Sequence, residues 1–392
     1  MSEQALIAGG GIGGLAAAIA LGRRDIACEV LERSDFAEQA GAGIQLGPNA
    51  TRALEVLGAL DAIKPSSFTP EAIIVRDGVS GRELTRLTLG SAAAERYGAP
   101  YLTLRRADLH AALRARSAEL TCVTLRSGFE LSAIDAQGGD VVARAADDSE
   151  ARGACLIGAD GMWSSVRRIV SPTARLRFAG ATAWRTKLPR KDLAPPFAEP
   201  VVGLWLGPRA HLVHYPVCGG AELNIVAVTA GGAAVHGWAQ SRSAATLLES
   251  FARWTKDAKS LLERAQGWRG WSLYRLTRLE RWSAGAVTLL GDAAHPVLPY
   301  LAQGAALAIE DAVSLAACVA EDPGDLVAAF QRYERLRRPR AARVQRAARR
   351  FGWAYHLDAP LSQARNLLLA RRNEASALLR FDWLYRPRDE NQ

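Results

Sequence analysis

Ala5-Leu6-Ile7-Ala8-Gly9-Gly10-Gly11-Ile12-Gly13-Gly14 decides how this chain is read. Four apolar residues suit a buried strand, a Gly-x-Gly-x-x-Gly turn follows, and Leu15–Leu21 continues as an apolar helix. In such a turn Gly9 allows the tight bend, Gly11 lets a pyrophosphate approach the backbone, and Gly14 lets helix and strand pack closely. The free N–H groups and partial positive charge of the helix N-terminus complete an anion site. A second strand is expected over Ala27–Leu31. It ends at Glu32, where a carboxylate can accept hydrogen bonds from an adenosine ribose. Arg33-Ser34-Asp35 closes the unit, and Arg33 is counted with Glu32 among the candidate nucleotide-binding residues. The turn alone does not tell one dinucleotide from another.

A chain of 392 residues can bury a large core, and two interleaved domains are expected rather than one. Mean hydropathy of −0.02 fits an ordinary soluble globular enzyme. No apolar run reaches the ~18 residues of a membrane span. No basic segment precedes the glycine-broken first apolar stretch, so secretion is not expected and the cytoplasm is the default. The net charge of +9 comes from arginines scattered among Ala and Leu, without a nucleic-acid-binding motif. It reads as a surface favouring small anions. Cys28, Cys122, Cys155, Cys218 and Cys318 are widely spaced and lack a Cys-x-x-Cys pair, which argues against a disulfide framework and against a metal site.

Helices are expected over Asn49–Leu60, Ala107–Ser117, Gln303–Cys318 and from about Asp325, where Leu326, Phe330, Tyr333 and Leu336 form an apolar stripe. Pro339 is expected to kink or break the last of these. Alternation between 120 and 157, and the runs Val201–Leu206, His211–Val217 and Leu223–Val228, point to strands, so 176–280 reads as a mainly antiparallel sheet. The Arg-rich stretch Arg335–Arg350 reads as a solvated helix face, with subunit contact as the secondary reading.

Two later segments join the first. Cys155-Leu156-Ile157-Gly158-Ala159-Asp160-Gly161 is closed by Ser164 or Ser165 and Arg167, and Leu289-Leu290-Gly291-Asp292-Ala293-Ala294-His295-Pro296 comes downstream. With the glycine turn, in this order, they resemble the FAD-dependent aromatic hydroxylases of the para-hydroxybenzoate hydroxylase fold. The resemblance covers essentially the whole chain. It is nearest to the salicylate and 3-hydroxybenzoate hydroxylase branch, through Gly41–Asn49, Ala183-Trp184-Arg185, His211–Pro216, Leu298–Gly304 and Phe381–Tyr385.

The resemblance implies an α+β fold: a Rossmann-like FAD domain (1–70, 100–175, 281–350), an interleaved β-sheet substrate domain (71–99, 176–280) and a C-terminal helical segment (351–392). It implies that Asp292 binds the ribityl hydroxyls and that Asp160 lies near the pyrophosphate and the route of NAD(P)H, with Arg167 holding that segment. Arg106, in Arg105-Arg106-Ala107-Asp108-Leu109-His110, would reach the flavin nucleotide. The backbone N–H groups of Gly304 and Ala305, opening a helix, would face the flavin pyrimidine. Many relatives have Asn where this chain has Ala306, and the 3-hydroxybenzoate enzymes tend to have an amide where it has Pro299. The second departure leaves the exact substrate open.

The implied reaction is hydroxylation of a small hydroxylated aromatic acid, with NADH or NADPH as transient reductant and O2 activated as the C4a-hydroperoxyflavin. No partner beyond these small molecules is expected; the chain would be a monomer or homodimer. Electrophilic attack needs an electron-rich ring, so a group that ionises the ring hydroxyl is required. On an alternating strand His211, Val213 and Tyr215 share one face and His214 the other, which makes His211 and Tyr215 the candidate acid–base residues, with His214 the weaker candidate. His295 is expected to shape its turn, His110, His236 and His356 to lie at the surface or in packing, and Trp353 and Tyr355 to be core. The alternatives are a heteroaromatic hydroxylase of hydroxynicotinate or urate type, a flavin-dependent reductase, and a flavin-binding regulatory protein without turnover.

Overall fold

In the computed structural model residues 4–36, 43–136, 140–234, 240–241, 244–277, 279–371, 373 and 377–387 are described. Gly41, Ala42 and His236 lie outside them. The strand Ala5–Ala8 pairs in parallel with Cys28–Leu31 on one side and Cys155–Gly158 on the other. All four of its residues are buried, which is why the run is continuously apolar rather than alternating. Val123–Arg126 extends the sheet beyond Cys28–Leu31, and Val287–Leu289 extends it beyond Cys155–Gly158. The three separated motifs therefore leave the same end of three adjacent parallel strands. Distance in sequence becomes proximity at one sheet edge, the place where open α/β sheets bind ligands.

The larger sheet has eight strands in the order 240–241, Arg269–Leu276, Leu176–Pro189, Glu222–Ala230, Ala210–Val217, Val202–Gly207, Ala72–Asp77, Glu83–Thr88. It is antiparallel as expected except at one junction, where Val202–Gly207 runs parallel to Ala72–Asp77. The Ala210–Val217 strand lies inside it, bonded on both edges. Its even positions Leu212 and His214 face a core containing Trp205, Phe197 and Trp254. Its odd positions face the other way.

Two helical expectations need correction. Asn49–Leu60 is not one helix but Pro48–Val56 followed by Leu60–Ile63. Gly58 takes φ +68°, its N–H donates to Glu55 O at 2.9 Å, and Ala59 N–H donates to Leu54 O at 2.9 Å. That pair of hydrogen bonds is a Schellman stop. Conversely, Leu326–Tyr355 runs for 30 residues straight through Pro339. Pro339 and Arg335 are both exposed, so the carbonyl left without an N–H partner meets water.

The inner face of that helix also departs from the expected pattern. Leu336 is 51% exposed, while Arg337 and Arg340 are buried beside Phe330 and Tyr333. Arg337 Nε donates to Asp311 Oδ1 at 2.6 Å and Nη2 to Glu310 Oε2 at 2.8 Å. Arg340 Nε and Nη2 reach the two Glu310 oxygens, each at 2.5 Å. The 335–350 stretch is thus not a uniformly solvated face. Two of its arginines cross-link this helix to Gly304–Glu321.

Candidate active site

At the sheet edge, helix Ile12–Gly22 starts without a side-chain cap and without an acidic residue in its first turn. Its N–H groups are left for an anion. Gly9 has φ +106°, and a Cβ there would stand 2.6 Å from Ala159 O, so the turn fits between the two strand ends only as glycine. A Cβ on Gly11 would meet nothing within 4 Å, so the space above this residue is open. A Cβ on Gly14 would stand 1.9 Å from Gly9 O, which shows how tightly helix and strand approach. Glu32 braces this turn: Oε2 accepts from Gly10 N at 2.7 Å, and Oε1 accepts from Ser34 N and Oγ at 2.9 Å. Arg33 is exposed next to it.

Asp160 Oδ2 accepts from Ser165 N at 2.7 Å and Val166 N at 3.2 Å, while its buried Oδ1 has no hydrogen-bond partner in the protein. Burial raises its pKa, against the pull of those hydrogen bonds. Arg167 ties this segment to the third motif, donating from Nη1 to Ala293 O at 2.9 Å. Asp292 follows the last parallel strand. Burial raises its pKa too, opposed by the charges of His295, Arg106 and Arg167. Its Oδ1 would lie 4.0 Å from a Cβ on Gly304, where helix Gly304–Glu321 begins uncapped with Ala305 next in line. His295 bonds Asp311, which also accepts from Gly291 N, so it holds the turn as expected. An open cradle, two uncapped helix starts and an orphaned carboxylate oxygen fit a bound dinucleotide.

A cavity of about 170 Å³ opens between the larger sheet and the C-terminal helices. Val75, Leu204, Phe351 and Phe381 give it mostly apolar walls, and Pro299 and Ala302 form the side toward Gly304. Ala302 takes φ +53° to turn the chain from the Pro299–Leu301 turn into the helix. His211 lines the cavity, and only 2% of it is exposed. Its pKa lies well below 6.5, through burial first and His356 second, so the ring is neutral at pH 7. His214, on the opposite face, accepts from Trp205 Nε1 at 3.1 Å and is sealed in the core.

Tyr215 requires a correction. It shares the strand face of His211 but stands behind the cavity wall, packed near Gly43 and Asn224. Its hydroxyl hydrogen-bonds Gln45, which does line the cavity and also accepts from Tyr101 Oη at 2.7 Å. Beside Tyr215 the half-buried Arg185 lies 4.0 Å from the Trp271 ring centroid. Burial draws its pKa down to about 10. Arg106, which opens the helix Arg106–Ala118, lies close enough for its charge to act on both Arg185 and Asp292.

Sequence reasoning missed several residues. His356, expected at the surface or in packing, sits behind His211, and Tyr355, expected in the core, lines the cavity. Trp353, also expected in the core, is 66% exposed. Gln45 and Tyr385 lay within quoted motifs but carried no role there; Tyr101 had no signal at all.

Residues 2–348 match the family described as FAD binding domain, and the chain belongs to that family. It is 35% identical over 386 residues to 3-hydroxybenzoate 6-hydroxylase 1 of Aquipseudomonas alcaligenes, covering 98% of each chain. It is 36% identical over 381 residues to a 3-amino-4-hydroxybenzoate 2-monooxygenase of Streptomyces platensis, covering 97% of this chain and 94% of the other. Klebsiella pneumoniae HpxO, solved with FAD and uric acid, superposes with a TM-score of 0.86 at 26% identity, covering 98% and 97%. The protein is an FAD-dependent aromatic monooxygenase, with NAD(P)H as the usual reductant of its family.

Exchanging Asp292 for Ala is expected to weaken FAD retention by at least tenfold, since it removes the carboxylate at the helix Gly304–Glu321 start. A hydrogen bond to a charged group is worth about 1.5–3 kcal/mol. Fluorimetric titration of the apoprotein with FAD measures it; unchanged affinity would contradict a ribityl contact.

Proposed function

We propose that the protein hydroxylates a single-ring hydroxybenzoate of the salicylate or 3-hydroxybenzoate kind, in the cytoplasm. The observation that carries this is His211, neutral and set in the wall of a one-ring cavity. An apolar cavity of about 150 Å³ accepts benzene, so about 170 Å³ suits a substituted ring. Bound FAD supplies reduction by NADH or NADPH and the activation of O2; Gly9, Gly11, Gly14, Glu32, Arg33, Arg106, Asp160, Asp292, Gly304 and Ala305 would hold it.

The chain's own residues do the rest. His211 takes the ring hydroxyl's proton, which makes the ring electron-rich. Tyr215 acts one step removed, fixing Gln45 in the wall together with Tyr101. Arg86 is held by Glu83, whereas Arg380 is exposed at the cavity and forms no ion pair among the described residues. Arg380 therefore steers the substrate carboxylate inward, in keeping with the net charge of +9. Predominantly apolar walls favour a benzoate over a urate-like ring, whose several N–H and C=O groups would be left unpaired. The five cysteines are all free, which supports a reducing compartment.

Purified enzyme should oxidise NADH several-fold faster with 3-hydroxybenzoate or salicylate than without, consuming one O2 per ring hydroxylated. Stimulation by hydroxynicotinate or urate alone would overturn the substrate class. Product formed without O2 would indicate a reductase.

A further inference from the structure

His211 uses one ring nitrogen inside the protein. Its Nδ1 lies 2.8 Å from His356 Nε2, with the ring centroids 5.0 Å apart and the planes at 35°. Its other close ring neighbours are Tyr300 and Tyr355, both at 5.4 Å. Nε2 is the nitrogen left for the cavity. A neutral imidazole donates at one nitrogen and accepts at the other. For Nε2 to take a proton, Nδ1 must carry the hydrogen, and that hydrogen needs an acceptor. His356 Nε2 is placed to be it.

His356 occupies a different environment from its partner. It does not line the cavity and it is only half-buried, at the C-terminal end of helix Leu326–Tyr355. Its backbone is held where strand and helix meet: Arg209 N donates to His356 O at 3.2 Å, and Arg365 Nη1 donates to Ala354 O at 2.8 Å and Tyr355 O at 3.1 Å. The two imidazoles thus connect a sealed wall to the protein exterior.

We propose that His356 is the positioning residue and proton outlet of His211. This rests on the base role proposed for His211. The substrate O–H breaks as His211 Nε2–H forms. His211 Nδ1–H breaks as His356 Nε2–H forms, and the proton on His356 Nδ1 passes to water. Both rings end neutral in the opposite tautomer, the substrate ends as a phenolate, and exchange with water resets the pair.

The surroundings favour passing the proton on over storing it. Arg365 and Arg209 face His356 as cations, Tyr300 and Tyr355 are neutral, and Asp77 lies beyond Arg365, accepting from Asn366 Nδ2 at 2.6 Å. Burial and then the two arginines bring His356 down to about 4. An imidazolium in either ring is therefore short-lived at pH 7.

The test uses the FAD-loaded enzyme with 3-hydroxybenzoate, comparing His356→Phe, His356→Gln and His211→Ala. His356→Phe should lower kcat about tenfold or more at pH 7 with KM little changed, and recover toward pH 10, where the substrate ionises unaided. His356→Gln still accepts from Nδ1 but cannot pass a proton on, so it should fall between Phe and the parent. Ultraviolet difference spectra of bound 3-hydroxybenzoate should show phenolate at pH 7 in the parent and phenol in His356→Phe. If His356→Phe matches the parent in rate and spectrum while His211→Ala loses both, the outlet is wrong and the base role stands. A loss equal at pH 7 and pH 10 would also overturn it, as a structural effect. If His211→Ala matches the parent as well, the base role itself fails.

Discussion

Replacing His211 by alanine is expected to lower the rate of ring hydroxylation about 100-fold or more at pH 7 while FAD remains bound. A phenol with a pKa near 10 is ionised to only about one part in 10³ at that pH. Without a neutral acceptor in the wall, that fraction limits attack. The loss should therefore be greatest at low pH and shrink as pH rises toward 10. Reduction by NADH needs no ring ionisation, so the variant should still consume NADH and release peroxide. Stopped-flow rates and peroxide assays from pH 6 to 10 measure this. A variant hydroxylating at the parental rate with parental coupling would place the base elsewhere. Because Tyr215 stands behind Gln45, Tyr215→Phe should cost much less.

The largest effect on stability is expected from Glu310→Ala. The carboxylate sits between Arg337 and Arg340, with side-chain exposures of 10%, 8% and 5%. Burial alone would raise the Glu310 pKa, but the two guanidiniums and the Asn49 amide bring it down to about 2. Removing it leaves Arg337 with Asp311 alone and the buried Arg340 with only the backbone carbonyls of Trp383 and Leu384, a change typically costing about 3–5 kcal/mol. The urea midpoint should fall accordingly, and FAD retention with it, because Asp311 also holds the Gly291 turn. The pH dependence follows from the depressed pKa. The Glu310 contribution is fully present above about 4.5 and is lost as pH falls toward about 2. A midpoint shift worth under about 1 kcal/mol would mean that these pairs behave like exposed ones.

The parts legible in the sequence are those written locally. The strand–glycine–helix start, the alternation of Ala210–Val217 and the orientation of His211 away from His214 follow from periods of 3.6 and 2 within a few residues. What was not legible depends on distant partners. His356 is 145 residues from His211, and no local pattern marks it as that ring's neighbour. Arg337 and Arg340 look like surface residues until Glu310 and Asp311, on another helix, supply the charge that lets them be buried. Pro339 looks like a breaker because its sequence does not reveal that its side of the helix faces water. Tyr215 was placed on the right strand face, yet pattern could not reveal that Gln45 stands in front of it.

The Ala210–Val217 strand has an evolutionary corollary. Odd positions present His211 to the cavity and even positions bury His214 against Trp205. Inserting or deleting one residue at its start would exchange the two sets, turning Leu212 and His214 toward the cavity and driving His211 into the apolar core. Point substitutions along the cavity face can retune which ring is accepted one side chain at a time. Length changes inside the strand cannot be sampled so gradually, so divergence of ring preference within this lineage should proceed by replacement there, with insertions and deletions confined to the connecting loops.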